Sequence, residues 1–144
     1  NLMAYDLPSE TPSRNYHADA ETVKVVAKSF LDRGCPSRKL VVGIPVYARH
    51  RNNPGVVKTI SEIVDMAGTH QVLQQSSNYE GFEFETRKDI QAKVDFVIKH
   101  GLGGIFFWEV GQDKQDPQHG PGGVLMQSVA ETLFGRNTKD RQEL

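Results

Sequence analysis

Gly101-Leu102-Gly103-Gly104-Ile105-Phe106-Phe107-Trp108-Glu109 reads as a helix end, a tight glycine turn and a buried strand that closes on a large aromatic and a carboxylate. Ile105, Phe106 and Phe107 have the run length and residue types of a strand covered on both faces, as in a parallel sheet. Trp108 and Glu109 then fall at the carboxyl end of the strand, where α/β folds place their ligands. Two other segments share this form. Asn1-Leu2-Met3-Ala4-Tyr5-Asp6 ends on Tyr-Asp, and the apolar run from Leu40 ends on Tyr47-Ala48-Arg49. Three strands of this kind predict one site at one face of a sheet.

Helical patterns lie between the strands. After a loop rich in proline and serine from Leu7 to His17, Val23, Val26, Ala27, Phe30 and Leu31 form an apolar stripe over Ala20–Arg33, with Asp19 as N-cap and Gly34 and Pro36 as stops. In the second strand, Gly43, Pro45, Tyr47 and Arg49 share one parity, and Val42, Ile44, Val46 and Ala48 share the other. Pro45 cannot donate to a ladder and fits a bulge or a barrel position. Thr59-Ile60-Ser61-Glu62 has the capping-box pattern and opens a short helix that stops at Gly68. Val72-Leu73 and Phe82-Glu83-Phe84 are candidate short strands. Thr86 to Asp89 caps a helix carrying Ile90, Val94, Val97 and Ile98, with Asp89–Lys93 and Asp95–Lys99 as pairs on its wet face. A polar loop from Gly111 to Gly123 and a last helix over Val124–Phe134 follow. Strands alternating with amphipathic helices mean right-handed crossovers and a parallel sheet.

The 144 residues carry a net charge of -1, which gives no electrostatic case for nucleic acid or an anionic membrane as partner. No window approaches the roughly 18 consecutive apolar residues of a membrane span. One cysteine, Cys35, excludes an internal disulfide. His17, His50, His70, His100 and His119 show no metal-ligand spacing, so neither a metal nor a cofactor is expected. The glycines at 101, 103 and 104 precede a strand, whereas a phosphate loop follows one. The chain starts at Asn1 inside an apparent strand and is expected to be the trailing part of a longer one. Asp6 and Glu109, both at the ends of buried strands, are the tempting acid pair for glycoside chemistry. The plainer alternative makes one a pocket acceptor and the other a structural anion.

Met3-Ala4-Tyr5-Asp6, Lys39 to Arg49 and Gly101 to Glu109 together resemble, in order, the sixth, seventh and eighth strands of family 18 glycoside hydrolases, the chitinases. The resemblance implies an α/β fold. It is a partial TIM (β/α)8 barrel of about three C-terminal strand–helix units, with a short insertion before the last strand. Residues 1–135 would form this barrel portion and 136–144 a charged mobile tail. The implied chemistry is retaining and substrate-assisted, with the substrate's own N-acetyl carbonyl attacking the anomeric carbon. In supporting catalytic roles, Tyr5 would hydrogen-bond the reacting N-acetyl group and Asp6 would bind beside it. Met3 would line the pocket, and Tyr47, Arg49 and Glu109 would serve the sugar chain. Trp108 would form the floor under the distorted ring. For Arg49 the plainer alternative is pairing with a carboxylate of a neighbouring strand.

The family's acid glutamate closes an Asp-x-x-Asp-x-Asp-x-Glu motif, and no such motif occurs in these 144 residues. The isolated chain is therefore expected to bind chitin or chito-oligosaccharide without cleaving it. The rival readings are a non-catalytic chitinase-like lectin and a vestigial fragment. The open edges of a partial barrel imply association with the missing barrel half or with itself. Secretion is implied by the family alone.

Overall fold

A computed structural model of the chain describes residues 1–7, 17, 19–116 and 122–139, with the backbone alone at 136–139. Three parallel segments form the sheet that carries the site. Leu2 bridges Val42; its N–H donates to the Val41 carbonyl at 2.7 Å, and the Gly43 N–H donates to the Leu2 carbonyl at 3.0 Å. β1 (Val41–Pro45) then pairs along its length with β6 (Gly104–Trp108), from Val41 opposite Gly104 to Pro45 opposite Trp108. Chain order equals spatial order. The connections run through α1 (Ala20–Asp32) and α4 (Arg87–Lys99). A singly wound barrel is built this way, whereas a doubly wound sheet reverses at a switch point.

The two parities of the sheet have different neighbours. Leu2, Ala4 and Val42 pack with Val23 and Ala27 of α1 and with Phe96 and Val97 of α4. Ile44 continues this outer layer into a second cluster with Ile90 and Val94 of α4 and with Leu125 and Val129 of α5 (Val124–Lys139). On the opposite parity, Met3 and Trp108 are 67% and 55% exposed, and Tyr5 and Phe106 are half-buried. The outer face is thus the core and the inner face is open.

The run from Leu40 to Arg49, expected as one strand, is two strands in two sheets. Pro45 supplies no N–H and closes the parallel ladder. The Val46 N–H makes the last contact, donating to the Trp108 carbonyl at 2.8 Å. The chain then becomes β2 (Tyr47–His50), antiparallel to β3 (Val57–Thr59) and β5 (Phe82–Glu83), with β4 (Asn78–Tyr79) outermost. The alternation survives the break, since Val42, Ile44, Val46 and Ala48 are all fully buried. This small sheet, with α2 (Ile60–Ala67) and α3 (Val72–Gln75), is the insertion before the last strand. Val72 and Leu73, expected as a strand, form the single turn of α3. A short apolar run does not distinguish the two by itself.

The helix starts follow their side chains. Asp19 accepts the Thr22 N–H at 2.8 Å, and Thr59/Glu62 and Thr86/Asp89 form complete capping boxes. A cap of this kind contributes about 1 kcal/mol. Three expectations about helix faces are corrected. Lys93, expected on the wet face of α4, is fully buried, and Asp89 serves the cap instead. Ile98 and Phe30 are close to half exposed, and Phe96 takes the buried place on α4. The reason is that α4 packs between α1, α5 and the sheet, so its covered arc is wider than one apolar stripe. The last helix runs beyond Phe134 to Lys139, and residues 140–144 of the expected tail lie outside those described. Among the described residues, no helix is long and apolar enough to cross a membrane.

Candidate functional site

The site is organised by Asp6, four residues beyond the Leu2 bridge to β1, where the expected strand over residues 1–6 is reduced to that single bridge. Its φ of 58° is left-handed, a conformation that aspartate tolerates better than most side chains. The turn aims its carboxylate across the mouth of β1 at the residues where the chain changes sheets. Arg49 grips it with two parallel bonds, Nε to Oδ1 at 2.7 Å and Nη2 to Oδ2 at 2.6 Å. The Tyr47 hydroxyl donates to Oδ2 at 2.7 Å. The remaining Arg49 nitrogen, Nη1, donates to the Pro54 carbonyl. A forked arginine–carboxylate pair fixes direction as well as distance. Arg49 thereby links Asp6 to the insertion, a pairing with a carboxylate of the kind expected as its plainer role. About a third of the Asp6 side chain remains exposed.

Aromatic rings frame this carboxylate. Tyr5 and Tyr47 meet edge to face with centroids 6.5 Å apart, and the His17 ring meets Tyr47 from another side at 5.8 Å. Burial, followed by the bond to Asp6, pushes the Tyr47 hydroxyl well above the ordinary tyrosine range, so it stays a donor at neutral pH. Burial and the nearby Asp6 charge raise Tyr5 in the same direction. The sign follows directly. Above the ordinary tyrosine range the unfolded chain loses these protons and the folded chain keeps them, so stability falls as alkalinity rises. Gly43 makes the close approach possible, because a Cβ there would lie 2.7 Å from both the Phe106 and Tyr5 rings. Trp108 stands two residues after Phe106 on the same parity and presents an exposed face beside Pro45.

The structure therefore brings Asp6, Tyr5, Tyr47 and Arg49 into one cluster, with Met3 and Trp108 open on the same sheet face. Glu109 follows a cis Trp108–Glu109 peptide and is exposed. Three buried groups next to the cluster had no part in the site expected from sequence, and for Lys93 the expected surface pair with Asp89 is replaced by a buried one. Glu85 and Lys93, both without exposed surface, pair at 2.7 Å, and His17 Nε2 lies 3.9 Å from the same Glu85 oxygen. For Lys93 the signal was present, since with Ile90, Val94 and Val97 it completes the i, i+3, i+4, i+7 phase of a buried stripe. Its charge hid it. Asp113 is a fourth buried polar group. It accepts the backbone N–H groups of Lys114, Leu125 and Met126 at 2.8 to 3.0 Å, and so caps α5 from a distant loop. Burial raises its pKa, the N–H bonds oppose the rise, and the uncapped charge would be costly. Asp113→Ala is expected to lower stability by about 1–3 kcal/mol in urea denaturation, because it orphans amides at a helix start.

The arrangement can be set beside known proteins. The family model for "Glycosyl hydrolases family 18" matches residues 1–113. The chain belongs to this family. Among curated family 18 relatives, Class V chitinase CHIT5 of Lotus japonicus is 29% identical over 114 residues, covering 60% of this chain and 29% of the relative. The solved structure of a chitinase from Bacteroides thetaiotaomicron superimposes with a TM-score of 0.71 at 21% identity, over 92% of this chain and 44% of that one. Human YKL-39, described as a pseudo-chitinase with retained chitooligosaccharide binding properties, superimposes at 0.66 and 17% identity, over 92% of this chain and 50% of that one. These likenesses show the fold: the family 18 chain forms part of a TIM barrel. It spans about a third of the length of the curated relatives it matches.

Proposed function

We propose that this family 18 chain is the substrate-binding wall of a glycosidase acting on chitin or related β-1,4-N-acetylglucosamine glycans, with the catalytic acid glutamate supplied from outside these residues. The observation that carries the reading is the Asp6 carboxylate, held in a fixed direction by Arg49 and Tyr47 at the carboxyl end of parallel strands, on a face that also exposes Trp108. A pyranose ring has an apolar face suited to an indole, and its substituents need fixed polar partners. On this reading Trp108 is the floor. Tyr5 and Asp6 orient the N-acetyl group whose carbonyl performs the substrate-assisted, retaining attack. Met3, Tyr47 and Glu109 line the way for the glycan, and Arg49 keeps Asp6 in place. Such an enzyme would work outside the cell.

The pure chain is expected to release no chromophore from a chromogenic chito-oligosaccharide. Turnover above that of a Trp108→Ala control would overturn the assignment of the acid to another part of the protein. The second reading is a lectin that binds the same glycans and never cleaves them, and the likeness to YKL-39 supports it. The two readings part at the fourth strand of the whole protein. A glutamate closing the Asp-rich motif there makes the protein a hydrolase, and another residue makes it a lectin.

A further inference from the structure

The Glu85–Lys93 pair is unusual for its cost. A fully buried ion pair is weak evidence for stability, because well-packed apolar residues of similar volume often serve as well or better. Perturbed or buried charges concentrate where function needs them. Here the pair is joined through His17 to the cluster around Asp6, and it belongs to a capped helix and the residue before its cap. Glu85 immediately precedes Thr86, the N-cap of α4, and Lys93 lies within that helix, whose start is locked by the Thr86/Asp89 capping box. From Glu85 the contacts run outward in order. His17 Nε2 is 3.9 Å from Glu85 Oε1, the His17 ring meets the Tyr47 ring edge-on at 5.8 Å and 80°, and the Tyr47 hydroxyl donates to Asp6 at 2.7 Å. Lys93, Glu85 and His17 are all without exposed surface.

We propose that Lys93 and Glu85 are positioning residues for the site, acting through His17 to fix the ring of Tyr47 and hence the direction of the Asp6 carboxylate. The ligand class is that of the site itself, an N-acetylglucosamine oligosaccharide, so the effect on binding rests on the function proposed above. The effect on Tyr47 does not. His17 connects two parts that the backbone separates, since it follows the Asp6 turn in sequence and contacts the end of the insertion in space. Without its anchor the His17 ring no longer fixes that edge of Tyr47, and the hydroxyl directs Asp6 less sharply.

The test uses the full 144-residue chain labelled at tyrosine Cζ, with the resonance of Tyr47 assigned through Tyr47→Phe. Two variants are compared. Glu85→Gln/Lys93→Met removes both charges together, and His17→Gln removes the ring that touches Tyr47 while keeping a polar end for Glu85. The expected result is a shifted or doubled Tyr47 resonance in both variants, with Tyr79 unmoved and cooperative unfolding retained. Affinity for chito-oligosaccharide is expected to fall about tenfold. A Tyr47 resonance and an oligosaccharide affinity that both stay in place in a folded Glu85→Gln/Lys93→Met chain overturn the proposal, whatever His17→Gln does. Loss of cooperative unfolding in both variants overturns it as well, because the cluster would then serve the fold alone. If the unvaried chain binds no oligosaccharide, the proposed function fails, while the Tyr47 resonance still decides the positioning.

Discussion

Gly43→Val is expected to lower the stability of the chain by roughly 2 kcal/mol and to weaken glycan binding at the same time. Two effects compete at this position. A β-branched residue in mid-strand gains up to about 1 kcal/mol over glycine through lower chain entropy and better strand propensity. Against this, the first added carbon would already lie 2.7 Å from Phe106 Cζ and 2.7 Å from Tyr5 Cε1, and valine adds two more. Overpacking of this kind costs about 1–3 kcal/mol, and more where both neighbours are rings held by others. The steric term wins. Gly43 has an ordinary strand conformation, so backbone strain does not confuse the result. Thermal unfolding should fall by about 2–4 °C for each kcal/mol lost. A valine variant as stable as the parent would show that the inner face has room that the geometry denies.

Asp6→Asn is the second change with a large effect, and it separates charge from backbone. Asparagine accepts the left-handed φ of 58° as aspartate does, so the turn is retained. The carboxylate is not. Arg49 loses its forked partner, and in either orientation the amide nitrogen of the new side chain would face the guanidinium, which only donates. The pair is partly exposed, so its contribution lies between the 0–1 kcal/mol of a surface pair and the larger cost of breaking a buried one, at about 1–2 kcal/mol. Binding should suffer more. A hydrogen bond from ligand to a charged group contributes about 1.5–3 kcal/mol, which is at least tenfold in affinity for chito-oligosaccharide by calorimetry. An unchanged affinity in the folded variant would remove Asp6 from the site.

Much of this was legible in the residues. The strand that ends at Trp108, the helix caps at Asp19, Thr59 and Thr86, and the alternation of Val42, Ile44, Val46 and Ala48 are local patterns, and the structure follows them. The rest depended on partners that no local pattern names. The break at Val46 is set by Thr59 and Glu83, which claim Tyr47 and Arg49 for a second sheet. Lys93 reads as a solvent lysine until Glu85 is placed beside it. Asp113 caps a helix that begins beyond an intervening loop, so no capping pattern in sequence announces it. The pairing of Arg49 with a carboxylate was one of two roles that sequence left open, and only the approach of the Asp6 turn to β2 shows that carboxylate to be Asp6.

Trp108 is the only tryptophan of the chain, so intrinsic tryptophan fluorescence reports on the proposed sugar platform alone. The most direct test titrates the chain with N-acetylglucosamine oligosaccharides of increasing length while this emission is followed. The account predicts a saturable change in emission, with affinity rising as the oligosaccharide lengthens along the exposed face. No saturable change at any length, in a chain that still unfolds cooperatively, would contradict a sugar-binding wall.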